Sequence, residues 1–163
     1  MNLKIKILFF IAILNLSFIN NTFDKKGFYD VFSGSSLEKI NSMLLKLENE
    51  KSSSIKAAYK GALLMKKSSF LKPPACKIDL FNKGMLLLES EINKLPGNVE
   101  YRFLRLSIQE HAPKILKYHK DIQKDKEMII REYKNLDKEM KSIIMDYSKK
   151  SGIIKPSDLK IIE

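Results

Sequence analysis

A chain of 163 residues is long enough for one domain with a substantial core and too short for two comfortable ones. With 44% hydrophobic and 30% charged residues it lies in the ordinary globular range, which excludes wholesale disorder. The formal net charge of +11 is almost all lysine, since only Arg102, Arg105 and Arg131 are arginine; scattered lysine lacks the planar fork that phosphate and base recognition favour, so a nucleic-acid role is set aside.

The opening MNLKIKILFFIAILNLSFINN places Lys4 and Lys6 ahead of an apolar run from Ile7 to about Leu16, the charged and hydrophobic regions of a secretory signal. That run is too short to cross a hydrocarbon core of roughly 30 Å. Residues 1–20 are therefore expected to be a signal peptide, cut between about Ser17 and Thr22, with an uncleaved anchor as the alternative. No cysteine comes directly after the apolar run, which excludes a lipoprotein signal. A lone cysteine, Cys76, makes no internal disulfide; it is expected to be a small buried apolar residue. Loss of Lys4 and Lys6 still leaves a basic chain, with a weak attraction to anionic envelope surfaces.

Residues 21–34 are expected to form a short helix or linker, in which DKKGFYDVF sets Phe28, Val31 and Phe32 on one side before Gly34. A helical-hairpin domain follows over 35–151. Ser35-Ser36-Leu37-Glu38 is a capping box, and Leu37, Ile40, Leu44 and Leu47 then make one apolar stripe. The serines of KSSS (51–54) cap a helix over Ile55 to Lys67, whose Ala57, Ala58, Gly61 and Ala62 admit a close neighbour. Helices 37–50 and 55–67 are expected to form an antiparallel hairpin. Pro73 and Pro74 break the pattern. The next helix runs from about Ala75 to Leu95 with Ile78, Phe81, Met85, Leu88 and Ile92 on one stripe, and ends at Pro96-Gly97, the glycine suited to a left-handed residue.

Asn98 is a good N-cap for the helix that follows. At 100° per residue, Val99, Phe103 and Leu106 fall together, and Tyr101, Leu104 and Ile108 fall on the opposite side. Arg102, Arg105 and Gln109 fill one flank, while Glu100, Ser107 and His111 fill the other. Two apolar faces demand two neighbours, the position of an interior helix in a helical stack. From Ile115 to Tyr147 apolar residues alternate by threes and fours through His119 and Lys126, which fits one long helix; Asp137 as a fresh cap favours two helices broken near Asn135 to Asp137. Residues 152–163, ending IIKPSDLKIIE, are expected to be a tail. No strand signal survives, so the fold class is all-α, stacked antiparallel hairpins, with five to seven helices.

The segment LLLESEINKLPGN, a helix leading through proline and asparagine into the next, resembles the junction of tetratricopeptide repeats. A shift of 34 residues finds no second proline turn, so any repeat is degenerate. AYKGALLMKKSSF (57–70), FNKGMLLLESEI and NVEYRFLRLSIQEHAP (98–113) resemble a group of uncharacterised secreted all-helical proteins of Bacteroidota over roughly Phe28 to Lys150. That resemblance implies a helical fold and export, and brings no activity with it.

Arg102, Arg105, Gln109, Glu110 and His111 are the candidate interaction surface, set against the reading that the arginines merely pack their stems over neighbours. LLMKKSSFLKPP, with Met65, Phe70 and Leu71 among Lys66, Lys67 and Lys72, is a further contact surface or a loop tucked over the core. No cofactor or metal is expected, because His111 and His119 stand eight apart with Pro113 between them, not four apart on one helix face. The leading expectation is an exported, non-enzymatic interaction or structural protein of the periplasm or cell envelope, with a protein or peptide partner. Membrane contact is expected only through the signal peptide, unless that stays uncleaved. The alternatives are a small metal-dependent hydrolase built on Glu110, His111, His119 and Asp121, and a membrane-tethered adaptor.

Overall fold

The computed structural model describes residues 23–49 and 53–160. The expected signal peptide over 1–20, and the first two residues of the KSSS cap, lie outside them. Among the described residues there is no strand, and eight α-helices follow one another where five to seven were expected. The surplus arises because both ends of the domain make helices of their own.

Asp24 opens α1 (Lys25–Ser33) by accepting from the Gly27 N–H at 2.8 Å, and Phe28, Tyr29 and Phe32 are buried beneath it. In α2 (Leu37–Asn49) the capping hydroxyl belongs to Ser36, which accepts from the Lys39 N–H at 3.2 Å. The helix thus starts one residue later than the capping box requires. Lys39 takes the third helical position, where Glu38 was expected to return the bond.

The close partner of α3 (Ser54–Ser68) is α4 (Pro74–Lys94), with α2 packed more loosely beside it. The reason is a contact without side chains. A Cβ on Gly61 would lie 2.7 Å from the Gly84 carbonyl oxygen, and one on Gly84 would lie 2.5 Å from that of Gly61. Small residues at a crossing let backbones touch, and a larger pair would hold them apart. The two helices run antiparallel, since Ser54 at the start of α3 donates its hydroxyl to Glu91 near the end of α4. Ser53 makes no capping bond, and Pro74 occupies the first position of α4, where a missing N–H costs nothing. Cys76 lies in that first turn and is exposed, contrary to expectation. After α4 no glycine takes a left-handed conformation. The chain turns instead through an Asn98 N–H to Leu95 O bond of 3.0 Å.

Asn98 caps α5 (Val99–His111), its side chain accepting from the Tyr101 N–H at 3.1 Å. Both apolar faces are covered, and Val99, Tyr101, Phe103, Leu104 and Leu106 are all buried. Phe103 meets Tyr29 of α1 at 5.8 Å and the edge of Tyr147 at 5.1 Å between ring centroids. A loop with one turn of 3₁₀-helix (Lys114–Leu116) leads to α6 (Ile122–Glu132), another such turn (Tyr133–Asn135) and α7 (Lys138–Ser148). The break before α7 is where the cap predicts it, with Asp137 accepting from the Met140 N–H at 2.7 Å. The short α8 (Pro156–Lys160) follows, and Ile154 and Leu159 are buried in the same core as Phe28, so this segment is packed against the domain. No helix among the described residues is long and apolar enough to cross a membrane.

The glycine crossing generates a direct test. Gly61→Ala and Gly84→Ala each force backbone apart, since the atoms met belong to the facing main chain. Overpacking of this kind exceeds the helix-propensity gain, for a net loss of about 2 kcal/mol in urea unfolding. Gly97→Ala, with no atom within 4 Å of the added carbon, leaves the midpoint nearly unchanged.

Candidate functional site

The charged residues of α5 define the site, because a helix enclosed on most sides must answer each buried charge within the protein. Three clusters result. The first lies on the arginine flank, where Asp125 of α6 is 0% exposed and receives both guanidinium groups. Arg105 binds it as a fork, Nε to Oδ2 and Nη2 to Oδ1, each at 2.7 Å. The remaining Nη1 donates to Glu89 of α4 at 2.9 Å and pairs with Asp121 at 3.3 Å. Arg102 reaches Asp125 at 3.2 Å and donates twice to the Pro96 carbonyl, at 3.1 and 2.9 Å, which fixes the turn after α4. Tyr118 completes the cluster by donating to Glu89 at 2.6 Å. Burial, helped by that bond to the carboxylate, drives the Tyr118 phenol far above its usual range. Burial works against the charge on Arg105, and the bonds to Asp125 outweigh it, so the group is more firmly protonated than usual.

The second cluster gathers at Glu100. It accepts from the Tyr29 hydroxyl at 3.2 Å and from the Tyr59 hydroxyl, and pairs with Lys25 at 3.1 Å, which also reaches Asp137 at 3.4 Å. Burial and the facing carboxylate raise both phenols, so each stays a donor. The third cluster is at the far end, where Glu110 accepts from the Tyr147 and Ser151 hydroxyls and the Gly152 N–H. Burial pushes the Glu110 carboxyl up, but these three donors overcome it and hold the group below its ordinary range.

The five residues expected to share an outward edge are dispersed by this arrangement. Arg102, Arg105 and Gln109 are buried, Glu110 is half-buried, and only His111 is exposed. Neither amide atom of Gln109 has a protein partner. The four residues of the hydrolase alternative part company as well. Glu110 faces the end of α7, Asp121 faces Arg105, and the His119 Nε2 lies 2.9 Å from the Ala112 carbonyl oxygen. Among the described residues no group of three or more His, Cys, Asp or Glu is placed to hold a metal ion. Met65 of the LLMKKSSFLKPP stretch is buried, and Phe70 packs against the core.

Sequence reasoning passed over Asp125, Glu89 and Tyr118. A signal for Asp125 was present, since Ile122, Asp125 and Ile129 share one helix face and an acid on that stripe calls for a cation on the helix it meets. The seam traced through Lys126 is one residue off, and Lys126 instead pairs with Asp158 at 3.1 Å near the surface.

No family model, curated protein or solved structure matches the chain. The likenesses to tetratricopeptide junctions and to the Bacteroidota group therefore rest on the quoted segments alone. What the geometry itself supplies is a positional device: Arg105 joins α4, α5 and α6 at one point. Glu89, one of its partners, borders an open depression of about 470 Å³ with Leu86, Ser90, Asn93 and Lys94.

Two outcomes follow from these contacts. Asp125→Asn leaves the buried Arg102 guanidinium without a carboxylate and Arg105 with only Glu89 and Asp121, and lowers unfolding stability by about 3 kcal/mol, read from the urea midpoint. At Glu110 the folded state holds the carboxylate more tightly than the unfolded chain does. Its contribution is therefore complete above the unfolded carboxyl range, near pH 4–5, and is lost as pH falls through the lower folded value. Comparing wild type with Glu110→Gln, the stability gap is constant at neutral pH and narrows in acid. A gap that widens in acid contradicts the assignment.

Proposed function

We propose that this protein is an exported, non-enzymatic interaction or structural protein of the periplasm or cell envelope, its helices arranged as degenerate stacked hairpins of tetratricopeptide-like character. The observation that carries the non-enzymatic half is the fate of the polar groups on α5. Glu100, Arg102, Arg105 and Glu110 are each tied to neighbouring elements, so the chain's most conspicuous ionic residues hold a scaffold together. A scaffold of that kind offers outer helix faces to protein segments or to a surface. Export is supported by the basic and apolar pattern of residues 1–20. The antiparallel pair α3/α4 and the packing of α6 against α5 are consistent with hairpins laid side by side, and the resemblance to secreted helical proteins of Bacteroidota points the same way.

Fractionation of cells carrying a C-terminally tagged chain tests the reading. The expected product is an envelope or periplasmic protein shortened at its N-terminus, with the new terminus between about Ser17 and Thr22 by mass. Recovery of the full-length chain in the cytoplasm overturns export. Full-length chain in the membrane pellet, with Met1 retained, selects the tethered adaptor instead.

A further inference from the structure

The loop between α5 and α6, residues 113–120, is fastened by some of its residues and turns the others outward. Leu116 packs against the core, Tyr118 meets the Phe81 ring edge-on at 5.6 Å and bonds Glu89, and His119 is held to Ala112. Lys114, Lys117 and Lys120 are exposed. Ile115 is 84% exposed, more than any other large apolar side chain among the described residues. Lys117 adopts a left-handed conformation, φ 50° and ψ 32°, that glycine or asparagine takes more easily. On α4, Lys77 and Ile78 stand one turn before the Phe81 ring that seats Tyr118; Lys77 is exposed and Ile78 is 46% exposed.

The acids of this end are already paired with cations. Asp121, Asp125 and Glu89 are bound to Arg105, and Asp79 is paired with Lys83 at 2.8 Å. The outer surface is therefore lysine around bare isoleucine, on a loop held in one shape from beneath.

We propose that the 113–120 loop and the first turns of α4 dock on a bilayer surface containing anionic lipids. Ile115 enters the headgroup region, and Lys77, Lys114, Lys117 and Lys120 lie against lipid phosphates. Charge complementarity selects this occupant. Lysines are compact point charges that suit a fluid layer of phosphates, whereas a fixed carboxylate or phosphate pattern favours the arginine fork, and this chain keeps two of its three arginines inside. An apolar side chain within a basic ring is the composition that interfacial binding uses. The inference rests on the envelope reading only for which membrane is met in cells, because vesicle binding by isolated protein does not depend on export.

The test is cosedimentation of protein isolated from expressing cells with vesicles of phosphatidylglycerol and phosphatidylcholine, beside vesicles of phosphatidylcholine alone. Binding is expected on the anionic vesicles and weakens as salt rises. A lysine near such a surface contributes roughly fivefold, so the combined Lys114→Ala, Lys117→Ala and Lys120→Ala variant loses at least about tenfold in partitioning. The combined Lys39→Ala, Lys138→Ala and Lys150→Ala variant changes net charge equally on exposed residues of other elements, and stays within about twofold of wild type. Ile115→Ser binds several-fold more weakly at every salt concentration. Failure to bind anionic vesicles, equal loss in the two lysine variants, or unchanged binding by Ile115→Ser overturns the proposal. So does capture of an acidic protein through the loop lysines without vesicle binding.

Discussion

An enclosed helix cannot leave a polar group to water, and α5 carries four charged groups along its buried length. Each must therefore be answered by a particular side chain on a particular neighbour. Arg102 and Arg105 require Asp125, Glu89 and the Pro96 carbonyl; Glu100 requires Tyr29, Tyr59 and Lys25; Glu110 requires Tyr147, Ser151 and Gly152. These partners come from α1, α3, α4, α6 and α7 and from the loops after α4 and α7. Apolar burial supplies the driving force for the fold, while buried ionic groups add little net stability over a well-packed apolar alternative. What they add here is uniqueness, because a rotated or shifted α5 strands a charge in the core.

The choice of cation follows from the same geometry. Arg105 uses all three guanidinium nitrogens on three different carboxylates, and Arg102 divides its fork between Asp125 and a backbone carbonyl. A lysine ends in one nitrogen and cannot span those positions. In a chain where lysine is otherwise the rule, the two buried arginines stand where planarity decides, and most lysines cover the outside.

Much of the helical layout was legible because its signals are local. Asp24, Asn98 and Asp137 cap the helices they precede, and Pro74 opens α4 from its first position. The double-sided pattern of α5 announced its enclosure. What escaped depends on residues far apart in sequence. Gly61 advertises a close neighbour, but only Gly84, 23 positions on, says which one. Asp125 looks like a surface acid on a lysine-rich helix until two arginines are known to face it. Burial of Ile154 and Leu159 likewise depends on a surface built by the rest of the chain. The cap at Ser36 in place of Ser35 and the negative φ of Gly97 are smaller errors of one residue or one dihedral, within the range that adjacent serines or a Pro-Gly pair leave open.

The touching backbones of Gly61 and Gly84 have a reach beyond their own crossing. Two helices in contact without intervening side chains cannot slide along one another, since a one-turn displacement sets Ala58 or Met65 against the facing main chain. The axial register of α4 is thereby locked, and α4 carries Phe81, Glu89 and Glu91 at fixed heights along its length. Phe81 seats the loop, Glu89 meets Arg105, and Glu91 meets Ser54. Two residues with no side chain are thus the datum against which the rest of the assembly is levelled.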